Sequence, residues 1–175
     1  MCTIATWGQA IIQTKHCILR PLQSDDLACI VALYTNAAVR QFLGGVVTRS
    51  EIEARFITMM QEKPDALFWV IKHQAEQECM GLVSLTKHHN GVDTEVSYQI
   101  LPKYWRQGYA SEVVQAVVNY GFDTLKLPRI VAETQAANVA SRRLLARLNF
   151  HQIDTVKRFG AEQVIYATLD VGTVC

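Results

Sequence analysis

The sequence predicts an α/β (α+β) fold: a mixed, mostly antiparallel sheet of about six or seven strands with one parallel pair inside it, flanked by about four helices. Three observations carry this. Alternating runs at 80–87 and 94–101 are separated by His88-His89-Asn90-Gly91, and Asn-Gly between strand patterns signals a tight hairpin, so these neighbours run antiparallel. The run at 94–101 leads into an amphipathic helix at 109–125 and then a short strand at 129–133. That strand–helix–strand order implies a right-handed crossover to a parallel neighbour. Two strand-like runs, 150–159 and 162–169, then turn at Gly160 and close the sheet.

In chain order, 17–22 reads as a first strand stopped by Pro21, and Ser24-Asp25-Asp26 caps a helix reaching Tyr34 or Ala38. Gly44-Gly45 breaks the chain. Ser50 starts a second helix with Ile52, Phe56, Ile57, Met59 and Met60 near helical spacing, ended by Pro64. A strand follows at 68–72. In the 109–125 helix, Ala110, Val113, Val114, Val117, Gly121 and Phe122 form the inward stripe, and Pro128 precedes the next strand. The last helix, 138–148, turns Leu144, Leu145 and Leu148 inward, and Asn149 can take the left-handed conformation that ends it.

With 175 residues, half of them apolar, one well-buried core is the expectation, so 1–175 reads as a single domain with its core at about 17–169. A net charge of +1 and the absence of a basic run with interleaved aromatics speak against direct nucleic-acid binding. Five cysteines, Cys2, Cys17, Cys29, Cys79 and Cys175, are odd in number and show no C-x-x-C spacing, which argues against a disulfide framework or a metal site. A soluble protein of a reducing cytoplasm, with no membrane segment, is expected.

The segment Tyr104-Trp105-Arg106-Gln107-Gly108-Tyr109-Ala110-Ser111 joins the central strand to a helix. Its glycine turn presents unpaired N–H groups at the positive end of a helix, a place suited to phosphate or pyrophosphate, and Arg106 adds a charge. Ordinary βα connections also want glycine, so the turn alone leaves both readings open; no P-loop or dinucleotide fingerprint is complete. Along the preceding strand Glu95, Ser97 and Gln99 point one way and Val96, Tyr98 and Ile100 the other, so the polar row either lines a cleft or meets solvent. Asn138, three residues before Ser141, reads as a helix cap or as a ligand residue. Arg142, Arg143 and Arg147 either hold a phosphate or are solvated, and Glu112 complements its helix dipole. No activated nucleophile stands out, and His88-His89 in its turn reads as solvated.

The order of elements and these two segments together resemble the GNAT superfamily of acetyl-CoA-dependent N-acetyltransferases. Glu95-Val96-Ser97-Tyr98 and Trp105-Arg106-Gln107-Gly108-Tyr109-Ala110-Ser111-Glu112 are similar to the branch of ribosomal-protein N-terminal acetyltransferases RimJ and RimL, with its W-G-x-G-Y-A-x-E pattern. Asn138-Val139-Ala140-Ser141, with Arg143, Leu148 and Phe150, resembles the N-x-x-S helix with its Gly-Phe ending. The resemblance covers about 17–169. Arg106 and Asn149 stand where the branch has glycine; Asn tolerates the same backbone, whereas Arg narrows the loop.

The resemblance implies a pantetheine arm between the splayed strands, bonded to backbone of Tyr98, Gln99, Ile100 and Leu101, with pyrophosphate on the amides of Gln107, Gly108, Tyr109, Ala110 and Ser111. Arg106, Asn138 and Arg143 join the acetyl-CoA site, and no metal takes part. Transfer goes directly to an amine, with Glu95 as base and Ser141 as proton donor to the departing thiolate. Only a neutral amine attacks. An α-amino group with a pKa of about 7.7–8.0 costs about 1 kcal/mol to deprotonate at pH 7, and a Lys amine at about 10.4 costs about 4.6 kcal/mol, so a weak base suits a protein N-terminus. Ribosomal-type N-terminal acetylation is therefore the leading expectation. A small-molecule amine (aminoglycoside, polyamine or amino acid) and a non-catalytic CoA sensor are the alternatives, and a homodimer is an open expectation.

Overall fold

The computed structural model describes residues 10–61 and 65–169. Its strands are β1 (Ile12–Gln13), β2 (Cys17–Pro21), β3 (Ala66–His73), β4 (Cys79–Lys87), β5 (Thr94–Ile100), β6 (Arg129–Gln135), β7 (His151–Arg158) and β8 (Ala161–Leu169). The helices are α1 (Leu27–Tyr34), α2 (Ala37–Arg40), α3 (Arg49–Met60), α4 (Tyr109–Asp123) and α5 (Val139–Arg147). One eight-stranded sheet runs β1-β2-β3-β4-β5-β6-β8-β7, antiparallel throughout except for β5 beside β6.

The mixed sheet with its internal parallel pair is as expected, and the counts are corrected by local chemistry. The added strand is β1, whose two residues pair with Ile18 and Leu19 and carry no strand pattern of their own. The added helix arises because the first one breaks: Asn36 accepts from the amides of Ala38 and Val39, each at 3.1 Å, and restarts the chain as α2. Ser24 does not cap. Asp26 instead accepts from the Gln23 amide at 2.8 Å and is clamped by both guanidinium nitrogens of Arg20, at 2.7 and 2.8 Å. Pro64, expected to end α3, lies outside the described residues.

Alternation along the strands feeds two cores. Trp69, Ile71, Val83, Leu85 and Val96 pack with Val113, Val117 and Leu145 under α4 and α5. Their neighbours Val70 and Leu82 pack with Ile30, Leu33, Ile52 and Phe56 under α1 and α3. Of the apolar residues near helical spacing in α3, Ile52 and Phe56 are buried, whereas Ile57 is 61% exposed. Cys29 and Cys79 form a disulfide between α1 and β4 with Cα atoms 6.0 Å apart, overturning the reading of the cysteines as unpaired and removing the support they gave to a reducing compartment. Cys17 is a buried free thiol, and burial pushes its pKa up to about 11. Among the described residues no helix is long and apolar enough to cross a membrane.

The β4–β5 connection is wider than a two-residue turn. His88 N–H donates to the Asp93 carbonyl at 2.9 Å, and the Asn90 carboxamide oxygen accepts from the amides of Val92 and Asp93, each at 3.0 Å. Asn90 thus organises the loop through its side chain, with Gly91 at φ +73° beside it.

Close approach of β4 to β5 depends on Gly81, where a Cβ would stand 2.1 Å from the Gln99 carbonyl oxygen. Backbone cannot retreat as a side chain can. Gly81→Ala is expected to lower the unfolding free energy by about 1–3 kcal/mol or more, read as a lower urea midpoint at unchanged slope; an unmoved midpoint would contradict this packing argument.

Candidate active site

Pairing between β5 and β6 is confined to Thr94 with Ile130 and Glu95 with Val131; beyond them the strands part. The vertex is tied by Asp93, which binds the Arg129 guanidinium through two bonds of 2.8 and 2.6 Å. Arg129 holds the Asp93 carboxyl below the usual carboxylate range. The Leu101 amide bonds to Met80 on β4 at 2.8 Å, so by alternation the backbone groups of Tyr98 and Ile100 face the opening. The Ile100 carbonyl accepts from Trp105 Nε1 at 2.6 Å, which folds the following segment back against the strand.

That segment reaches α4 through Arg106 at φ +60° and Gly108 at φ +86°. Intrahelical bonding starts with the Glu112 amide on the Gly108 carbonyl at 3.1 Å, so the amides of Tyr109, Ala110 and Ser111 have no acceptor within the helix. A Cβ at Gly108 would meet nothing within 4 Å, so the turn is open at this point. Gln107 donates from its side chain to the Lys103 carbonyl at 2.8 Å and leaves its own amide to the turn. The exposed Arg106 lies beside it.

Glu112 does more than complement a dipole. It accepts from the hydroxyl of Thr14, from the His16 amide at 2.7 Å and from His16 Nδ1 at 2.8 Å, stitching the first turn of α4 to the β1–β2 turn. Burial pushes its carboxyl up, but these bonds outweigh it and leave the group below its ordinary range.

The two proposed catalytic side chains lie on opposite faces of β5. Glu95, Ser97 and Gln99 share the face of Leu82, which packs under α1 and α3. Gln99 Oε1 lies 3.5 Å from an Arg40 guanidinium nitrogen, and Arg40 also bonds the Gly45 and Leu43 carbonyls. Ser97 donates to Glu95 at 3.2 Å, and desolvation raises the Glu95 pKa. On the other face Tyr98 Oη and Ser141 Oγ are 2.7 Å apart. Burial pushes the Tyr98 phenol up to about 12, so it stays protonated at neutral pH.

Asn138 is the α5 N-cap, accepting from the Ser141 amide at 3.2 Å through Oδ1. The cap does not consume its Nδ2. Arg142 bonds the Tyr166 hydroxyl at 3.1 Å and the Ala136 carbonyl at 3.2 Å. With Arg143, Val139, Ala146 and Tyr166 it lines a shallow pocket of about 310 Å³ to which the α4 turn contributes nothing.

Two features escaped the sequence. The sequence assigns Tyr98 a role only through its backbone, although alternation aims its ring away from Glu95. His88, expected to be solvated in its turn, is 3% exposed, with Nε2 2.9 Å from Glu133 Oε2. Among the described residues no group of His, Cys, Asp and Glu could hold a metal ion.

Residues 16–151 match the family model of the acetyltransferase (GNAT) domain. The chain belongs to the GNAT acetyltransferase family. It is 32% identical over 157 residues to the uncharacterized N-acetyltransferase YoaA of Bacillus subtilis, spanning 85% of this chain and 87% of that one. Among solved structures, the ribosomal L7/L12 α-N-protein acetyltransferase RimL with coenzyme A superposes with a TM-score of 0.78 at 19% identity, covering 91% of this chain and 98% of RimL. The spermidine N-acetyltransferase of Vibrio cholerae with CoA and spermine superposes with a TM-score of 0.75 at 18% identity, covering 88% of this chain and 95% of that one. This acetyltransferase takes its acetyl group from acetyl-CoA, and the open amides over Gly108 and the splayed strands fit that co-substrate.

A carboxyl whose pKa is depressed on folding stabilises above its unfolded pKa of about 4.3 and loses that contribution as pH falls through the folded value. Glu112→Gln should therefore melt at a lower temperature than the parent at pH 7, with the gap closing below about pH 4; a gap independent of pH would contradict the charge-assisted latch.

Proposed function

We propose that this acetyltransferase acylates the α-amine of a protein or peptide N-terminus, with Glu95 taking the amine's proton and the Ser141–Tyr98 hydroxyl pair returning one to the departing sulfur. The observation that carries the reading is the position of Glu95. It sits at the vertex where β5 and β6 part, on the face opposite the Ser141–Tyr98 pair, so proton removal and proton return are separated by the opening itself. Desolvation makes Glu95 a better base than an exposed carboxylate, as abstraction from an ammonium requires. An α-amine, about 1 kcal/mol from neutrality at pH 7, matches one such carboxylate better than a Lys or polyamine at about 4.6 kcal/mol.

Acetyl-CoA supplies the activated acyl group, so the chain need only orient, polarise and move protons. We assign its pyrophosphate to the amides of Gln107 to Ser111, with Arg106 and Arg143 as flanking charge and the backbone of Tyr98 to Leu101 along its pantetheine. Asn138 Nδ2 is the proposed donor to that arm. The Tyr98 phenol, fixed in its protonated state, backs Ser141 as the second hydroxyl of a relay.

The fold serves protein N-termini in RimL and a polyamine in the spermidine enzyme, so acceptor chemistry has to be read by experiment. Peptides with a free α-amine, the same peptides N-blocked but carrying Lys, polyamines and aminoglycosides should be compared by thiol release from acetyl-CoA at pH 7. Free α-amine peptides are expected to react at least about tenfold faster; a polyamine or aminoglycoside ahead of every peptide would overturn the reading. Two substitutions separate binding from chemistry. Gly108→Asp should weaken CoA binding in calorimetry by at least about tenfold, because it sets a carboxylate over the anion-facing amides. Ser141→Ala should lower kcat by about 10²-fold with CoA affinity nearly intact, and equal turnover would remove its role.

A further inference from the structure

A second ionisable cluster lies beside Glu95 and has no part in the steps above. His88, whose backbone pairs with Asp93 at the end of the β4–β5 ladder, and Glu95, two residues beyond Asp93, share a face of the sheet. Glu133 is two residues beyond Val131, the partner of Glu95 across the vertex, and shares that face too. His88 and Glu133 meet there: the Nε2–Oε2 separation is 2.9 Å, and the side chains are 2% and 7% exposed. Nδ1 of His88 accepts from the Asn90 amide at 3.3 Å, which orients the ring and puts the proton of its neutral form on Nε2, toward Glu133. From β7, Arg158 Nε stands 3.0 Å from Glu133 Oε1, off the line of a hydrogen bond, so the contact is one of charge. Phe159 at the hairpin tip packs on His89, with ring centroids 5.3 Å apart.

We propose that His88 and Glu133 are positioning residues that set the proton affinity of Glu95, a unit built from the β4–β5 loop and β6 and braced by Arg158 from the last hairpin. The proposal rests on Glu95 as the base. Burying Glu95 alone would drive it towards its neutral form, and the like charge of Glu133 pushes the same way; His88 and His89 push back. The remaining charges around the vertex are the paired Asp93 and Arg129. By meeting Glu133 through Nε2, His88 offsets the like charge that Glu133 presents to Glu95 and so favours the ionised carboxylate that receives the amine's proton.

The test is the acid limb of kcat against pH at saturating acetyl-CoA and one acceptor, so that the amine's own titration is common to all variants. Glu133→Gln keeps an acceptor for His88 Nε2–H and removes a like charge, so the limb should move to lower pH by about half a pH unit or more. His88→Gln keeps a donor to Glu133 and removes the imidazole that opposes the upward push on Glu95, so the limb should move to higher pH by a similar amount. Arg158→Met, which removes a cation from a 26% exposed site, should move it the same way as His88→Gln and serves if that variant does not fold. Opposite displacements are not produced by a general loss of structure. If Glu95→Gln abolishes the limb while His88→Gln, Arg158→Met and Glu133→Gln leave it in place or displace it in one direction, the pair has no such role. A limb that survives Glu95→Gln overturns the base assignment itself, and the pair's route to the reaction with it.

Discussion

Everything at the site depends on where the parallel pairing of β5 and β6 stops. Two residue pairs hold the strands together, and past Glu95 and Val131 neither strand finds the other. Unsatisfied strand edges are costly when buried, so such a gap persists only if both strands are held from outside. On one side β5 is laddered along its length to β4, with Gly81 permitting the close approach; on the other, β6 is laddered to β8. The vertex is fixed by the two-bond contact of Asp93 with Arg129. Such a pair is worth about 1.5–3 kcal/mol when desolvated, and less here because the Arg129 side chain is 40% exposed. Its value lies in register: a carboxylate at the start of one strand and a guanidinium at the start of the other set both strands at the same level.

Strand alternation then divides the labour. Because β5 is bare on its β6 side, both of its faces border the opening, and consecutive residues serve opposite surfaces. Glu95 and Gln99 look towards α1–α3 and the Arg40-pinned loop, whereas Tyr98 looks towards α5 and Ser141. A one-residue slip of β5 would exchange the two sets, so the register set at Asp93 also determines the chemistry on each face.

What the sequence disclosed and what it hid follow from range. The alternation of 94–101, the left-handed Asn149 at φ +60° and the cap at Asn138 are set by neighbours within a few residues, and a local reading finds them. The hidden features join distant segments: Cys29 with Cys79, Tyr98 with Ser141, Glu112 with His16, His88 with Glu133. His88 shows why. Two histidines before Asn-Gly look like a solvated turn, and only the fold brings Glu133 from β6 against His88 and the β7–β8 tip from the far end of the chain against His89. The polar row of β5 lay between these cases: alternation gave its direction, and the absence of a neighbour beyond Glu95 had to come from the fold.

The turn before α4 shows how a departure from the family pattern is accommodated. Arg106 occupies a left-handed conformation that glycine enters freely and a residue with a Cβ enters at a cost of about 1–2 kcal/mol. That strain is sustained because both flanks are pinned, Trp105 to the Ile100 carbonyl and Gln107 to the Lys103 carbonyl, while Glu112 fastens the helix start to the β1–β2 turn. A glycine there would leave the backbone more conformations to lose on binding. With arginine the loop is confined beforehand, and less ordering remains to oppose an arriving anion. Gly108, at φ +86°, is held to glycine by its backbone conformation, and a side chain there would stand at the mouth of the proposed anion site. The proposed cradle therefore accommodates arginine at one position of its motif and calls for glycine two residues later, where φ is +86° and a side chain is strained although the space is open.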